Sequence, residues 1–267
     1  MVSGTDSVLT IGEDTDDTTV FSRNVGVQFG GGSTVEQDGT IVMIGGTYRE
    51  NVAWFGGGAI YATENGIAWL MGLMNGDDGF SPQFDDRKDG VFIMYGGELT
   101  ENTALTRGGA ILADSDKVQI KRGKLSNNYS RMLGGAVYVM GDHPQYTYTM
   151  QLEGLYVHDN TAVSGLTPKD KVAENNLLQR ALAAPKLCED AGELFSGYIN
   201  KNTDDMTDGT GTHGTGGGVW LCAYGNTILD AGSTDQVVIA KNYATGTTSF
   251  SETTWYRPWH KKDALIS

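Results

Sequence analysis

Apolar and polar positions alternate in short stretches that recur at fixed places along this chain. After the pairs Gly57-Gly58, Gly108-Gly109 and Gly134-Gly135, and in a displaced copy before Val219, the fourth position is Ile60, Ile111, Val137 or Val219. The sixth position is Ala62, Ala113, Val139 or Leu221. A period of two places these residues on one face of a strand, so they are expected to point inward. The fifth position, Tyr61, Leu112, Tyr138 or Trp220, is then expected to point outward as a stripe. Ahead of Gly45-Gly46 stands another short apolar piece, Ile41-Val42-Met43-Ile44.

The pairs belong to a longer repeat. Asn24, Asn51, Asn102 and Asn128 each precede a glycine pair by six positions, and each has a large apolar residue three places before it: Phe21, Tyr48, Leu99 or Leu125. The same half-motif recurs at Val157/Asn160, Ile199/Asn202 and Ile239/Asn242. Gaps between successive marked asparagines are 27, 51, 26, 32, 42 and 40 residues. A unit of about 26 residues explains the short gaps. On that reading the gap of 51 is two units with one degenerate, the longest gaps carry insertions, and seven coils are marked.

No piece within a unit is long enough to make a stable sheet alone. Stacked on its equivalent in the next unit, each becomes one strand of a long parallel sheet. The expected fold is all-β: a right-handed parallel β-helix with three strands per coil, one short helical insertion and an aliphatic interior. Residues 1–267 are read as a single domain. Glycine supplies the corners, since Gly46, Gly97, Gly123 and Gly197 each sit five residues before an asparagine. Asn24, Asn51, Asn102, Asn128, Asn160, Asn202 and Asn242 are structural on this reading, because repeated equivalent residues cannot all belong to one active site. Each amide is expected to bond neighbouring backbone and its counterpart one coil away.

Composition narrows the class. The chain has 38 glycines, 5 prolines, 19% charged residues and a net charge of −14. No concentrated basic footprint exists, so nucleic acid is not an expected partner. Nor are there ~18 consecutive apolar residues, so the chain is not expected to insert directly into a membrane. Cys188 and Cys222 are the only cysteines; they either pair in an oxidising compartment or stay as separate thiols.

Phe21-Ser22-Arg23-Asn24 matches an FxxN motif, and Gly57-Gly58-Ala59-Ile60 and Gly108-Gly109-Ala110-Ile111 match GGAI. The alternation of these motifs resembles the passenger domains of the chlamydial polymorphic outer-membrane proteins, and related glycine-rich β-helix repeats of other microbial surface proteins. The resemblance spans most of Phe21 to Asn242. It implies extracellular or cell-surface display and adhesion, without the C-terminal membrane barrel of that family.

The interruptions hold the remaining candidates. Acidic loops at 75–79 and 84–90, with Asp204, Asp205 and Asp208, read as solvated turns; calcium is the sharper alternative, and otherwise no cofactor or metal is expected. Thr167-Pro168 is a helix N-cap followed by proline at the first helical position, opening an insertion at about 166–196. The glycine-rich stretch 208–218 lacks the lysine and helix of a phosphate loop. The aromatic and basic segment at about 245–267, with Trp255 and Trp259, is read as a cap or docking element, with sugar stacking as the alternative. His143, His158, His213 and His260 are scattered, and His158-Asp159 is the pair to inspect for activity.

The leading expectation is a non-catalytic, surface-displayed adhesin-like or stalk module. It would bind a glycan or protein through its outer face or loops, at Tyr61, Leu112, Tyr138, Trp220, Trp255 and Trp259. A polysaccharide lyase or glycoside hydrolase of the β-helix type, and a structural subunit that contacts neighbouring copies, are the alternatives.

Overall fold

A computed structural model describes residues 1–26, 29–53, 56–63, 88–130, 133–139, 148–162, 217–221, 225–229, 237–244 and 264–266. The described residues are all-β, with no helix among them, and form four stacked sheets consistent with a parallel β-helix. Each coil contributes one strand to each sheet before the chain returns to the first. One full turn reads Ser33–Glu36, Thr40–Met43, Thr47–Arg49 and Val52–Ala53, after which Ile60–Thr63 lies beside Ser33–Glu36.

The first sheet has seven strands and the other three have six. Every neighbour pairs in parallel except Ala264–Ile266, which pairs antiparallel with Val219–Leu221 and ends the first sheet. The sequence predicts three strands per coil, and the structure has four ladders. The extra one arises because Arg23, Glu50, Glu101, Asn127, Asp159 and Lys241 adopt left-handed φ values between 55° and 59°. Each stands immediately before a marked asparagine, so the left-handed residue breaks what would be one strand into two.

The asparagines stack along this corner. Asn24 Nδ2 donates to Asn51 Oδ1 at 2.9 Å, Asn51 to Asn102 at 2.9 Å, and Asn102 to Asn128 at 3.1 Å. Asn128 continues to Asn160, and Asn160 to Asn242, both at 2.9 Å. The backbone N–H of each donor asparagine bonds the same carbonyl oxygen. The second Nδ2 proton bonds a carbonyl of the preceding coil, as in Asn102 to Tyr48 O at 2.9 Å. Buried amides therefore have their bonding capacity used, which is the condition for placing them inside.

Two expectations about coil number are corrected by this ladder. Asn51 bonds Asn102 directly, so their separation of 51 residues is one coil and not two. Asn160 bonds Asn242 across 82 residues, so Asn202 is no rung between them; it lies outside the described residues. Extra length departs instead between strands: residues 64–87 join the first sheet to the second, and 163–216 join the fourth to the first. Closing a longer loop costs only about 0.6 kcal/mol per doubling, so insertions leave the stacking register intact. The predicted helical insertion, Cys188 and Cys222 also fall outside the described residues.

Ile60, Ala62, Ile111, Ala113, Val137, Val139, Val219 and Leu221 join one core cluster, as the period-two reading places them. Opposite them the second sheet contributes Ile11, Ile41, Met43, Phe92, Met94, Val118, Ile120, Met150 and Leu152. Each large side chain buried this way contributes about 1.5–3 kcal/mol.

Glycine has two separate uses at the repeat's second corner. Gly30, Gly57, Gly108 and Gly134, the first of each pair, all have φ between 57° and 67°. A different use explains why the first pair runs into Gly32 where later coils have Ala59, Ala110 and Ala136. A Cβ on Gly32 would lie 2.5 Å from Cδ1 of Tyr48, whose ring fills that space. Ser33, where later coils have Ile or Val, lies with its Oγ 2.9 Å from Tyr48 Oη in a buried hydrogen bond. Two substitutions in one coil thus accommodate one tyrosine. Tyr48 also stacks on Phe21, with ring centroids 4.6 Å apart at 12°.

Candidate functional site

Tyr61, Leu112 and Tyr138 are in register on the first sheet, and none belongs to the core cluster, so they point away from the interior. They are nevertheless buried, at 1%, 0% and 2% exposure. The expectation of an open outer stripe is therefore corrected. The cover comes from the chain just before each glycine pair, where Phe29, Gly56, Arg107 and Leu133 form a ladder of isolated parallel bridges.

Three rungs of that ladder, Phe29, Gly56 and Arg107, each lie against the fifth-position residue one coil further on. Phe29 stacks on Tyr61 with centroids 4.5 Å apart, and the Arg107 guanidinium sits 5.2 Å from the Tyr138 ring centre. Between them a Cβ on Gly56 would come 2.5 Å from Leu112 Cδ2, so that rung has no side chain because Leu112 occupies the room. Tyr61 also donates to Asp114 Oδ2 at 3.3 Å. The stripe is a second packed layer. Trp220 continues the register beside Tyr138, its side chain lying outside the described residues, as do Trp255 and Trp259.

The third sheet presents its outer face differently. Its strands are Val20–Ser22, Thr47–Arg49, Glu98–Thr100, Gly123–Ser126, Leu155–His158 and Val238–Ala240. The middle residues, Phe21, Tyr48, Leu99, Leu125, Val157 and Ile239, face or adjoin the core. Their flanking residues consequently form two outward columns: Val20, Thr47, Glu98, Lys124, Tyr156 and Val238, beside Ser22, Arg49, Thr100, Ser126, His158 and Ala240.

Charge on this face is internally balanced. Lys124 Nζ lies 2.7 Å from Glu98 Oε1, which also accepts from Ser126 Oγ at 3.1 Å; Ser126 and Thr100 hydroxyls are 3.0 Å apart. At the corner with the second sheet Lys121 pairs with Glu153 at 2.5 Å, and at the corner with the fourth sheet Arg23 pairs with Glu50 at 2.5 Å. His158 Nδ1 is 2.5 Å from Asp159 Oδ2, and the imidazole stacks on Tyr156 with centroids 4.2 Å apart. Tyr156 and Val238 remain 38% and 39% exposed.

Comparisons with known protein families, with curated protein sequences and with solved structures find no match to this chain.

The site has a limited chemical repertoire. Ser126 is the register neighbour of His158, yet it is fully buried and its hydroxyl is committed to Glu98 and Thr100. It therefore cannot reach a substrate as a nucleophile. Among the described residues no group of three or more His, Cys, Asp or Glu side chains is arranged to hold a metal ion. Of the predicted acidic loops only Lys88, Asp89 and Gly90 are described, and Asp89 lies 3.9 Å from Lys117. Sequence reasoning singled out His158-Asp159 and missed Tyr156, Lys124 and Glu98. The signal was available, because these residues flank the same apolar position that lies three places before each asparagine.

Proposed function

We propose that this chain is a right-handed parallel β-helix of the FxxN/GGAI kind, displayed outside the cell or on its surface. It serves as a non-catalytic adhesin-like or stalk module and binds a glycan or protein through outward side chains. Right-handedness follows the strong rule for parallel crossover connections. The observation that carries the functional reading is the use of the interior. Core side chains and bonded asparagines fill the interior coils, and even Tyr61, Leu112 and Tyr138 on the outward side of the first sheet are covered. Among the described residues the remaining outer faces are what is left for recognition.

The second reading, a carbohydrate-active enzyme, is favoured by one feature, the His158–Asp159 contact. A single assay separates the two. The full chain is screened for binding against glycan and surface-protein arrays, and incubated with neutral and acidic polysaccharides while unsaturated products and reducing ends are followed. Binding without product release is the expected outcome. Product release that His158→Ala abolishes would replace the binding reading with the enzymatic one, and silence in both screens would remove the proposal.

A further inference from the structure

The geometry points to Tyr156 as the stacking platform of a binding site for an uncharged glycan on the outer face of the third sheet, a reading that rests on the binding role proposed above. A sugar ring recognises its site through one apolar C–H face and a rim of hydroxyls. An aromatic ring bordered by hydrogen-bonding side chains complements both.

Tyr156 is held for that task. Its ring packs on His158, and His158 is fixed in turn by Asp159, so the platform carries little conformational freedom to lose on binding. Val238 extends the apolar surface on one side along the column. On the other side stands Lys124, the register neighbour of Tyr156, held against Glu98. Nζ and the carboxylate supply a donor and an acceptor to a hydroxyl rim.

Size and charge select the ligand. Among the described residues, the large apolar side chains exposed on this face are the adjacent pair Tyr156 and Val238 and, four rungs from Tyr156 at the other end of the column, Val20, far less than the roughly 800 Å² per partner that a stable protein interface covers. One or two sugar rings match that footprint. Anionic glycans are disfavoured because the lysines here already pair with carboxylates and the chain carries a net charge of −14.

The test uses the full chain against matched neutral and uronic-acid-containing oligosaccharides, read by titration with NMR or calorimetry. Tyr156→Ala should weaken binding of a neutral oligosaccharide at least about tenfold, the scale of one aromatic contact. Tyr156→Phe should retain it, and Tyr95→Ala, an exposed tyrosine on another corner, should leave it unchanged. Because Tyr156 is partly exposed, the fold of each variant is checked by its circular-dichroism melt. Equal glycan binding by Tyr156→Ala and the parent overturns the platform while leaving the binding role intact. So does a preference for acidic oligosaccharides, or capture of a protein with no glycan affinity. Failure of the parent to bind any glycan or protein sinks both.

Discussion

At the scale of single residues the chain spends its side chains in coordinated sets. Tyr48 is accommodated only because Gly32 vacates space and Ser33 meets its hydroxyl. Burial pushes the Tyr48 phenol up to about 12, with the Ser33 hydrogen bond opposing part of the rise. The unfolded chain ionises this phenol near 10, so between about pH 10 and 12 the unfolded state binds fewer protons and stability falls as pH rises. Below pH 10 the contribution is fully present. Comparing urea midpoints at pH 8 and pH 11.5, the parent should lose about 2 kcal/mol more than Tyr48→Phe. Equal losses in the two proteins would show that the phenol is not held neutral.

Elements depend on the asparagine ladder because the corner strands are only two residues long and supply few backbone bonds. Asn102 is 0% exposed, donates to Tyr48 O and Asn128 Oδ1, and accepts from the side chain and backbone of Asn51. Asn102→Ala leaves several buried groups without partners, each worth about 1–3 kcal/mol, and should cost about 3–5 kcal/mol. Asn24 is exposed and makes bonds to one neighbouring coil, so Asn24→Ala should cost about 1 kcal/mol. Chemical denaturation of both variants checks the ratio. Similar costs at the two positions would mean that the ladder does not stabilise interior coils more than the terminal one.

At the scale of the whole molecule, each coil touches the coils before and after it, so stability is a sum of coil and nearest-neighbour terms. Damage should therefore stay local. In Asn102→Ala, amide exchange should accelerate first at Asn51, Thr103 and Asn128, whose coils adjoin the lesion, and least at Tyr243. Uniform acceleration along the chain would indicate one cooperative unit instead.

What could be read from the sequence divides along the same lines. The Asn spacing and the glycine pairs are local signals with fixed physical meanings, a bonded amide and a left-handed corner, and they determine the all-β class, the inward residues and the stacking of Asn24, Asn51, Asn102, Asn128, Asn160 and Asn242. Coil number was not legible, because a gap of 51 residues reads equally as two units or as one unit with a loop; only the direct Asn51–Asn102 bond decides. The outer surface was not legible either. Alternation says that Tyr61, Leu112 and Tyr138 leave the core, but burial depends on what arrives from elsewhere in the chain, and Phe29, Gly56 and Arg107 arrive over them. Tyr156 points outward by the same rule and stays open to solvent. Direction is a property of one strand; cover is a property of the assembled coils.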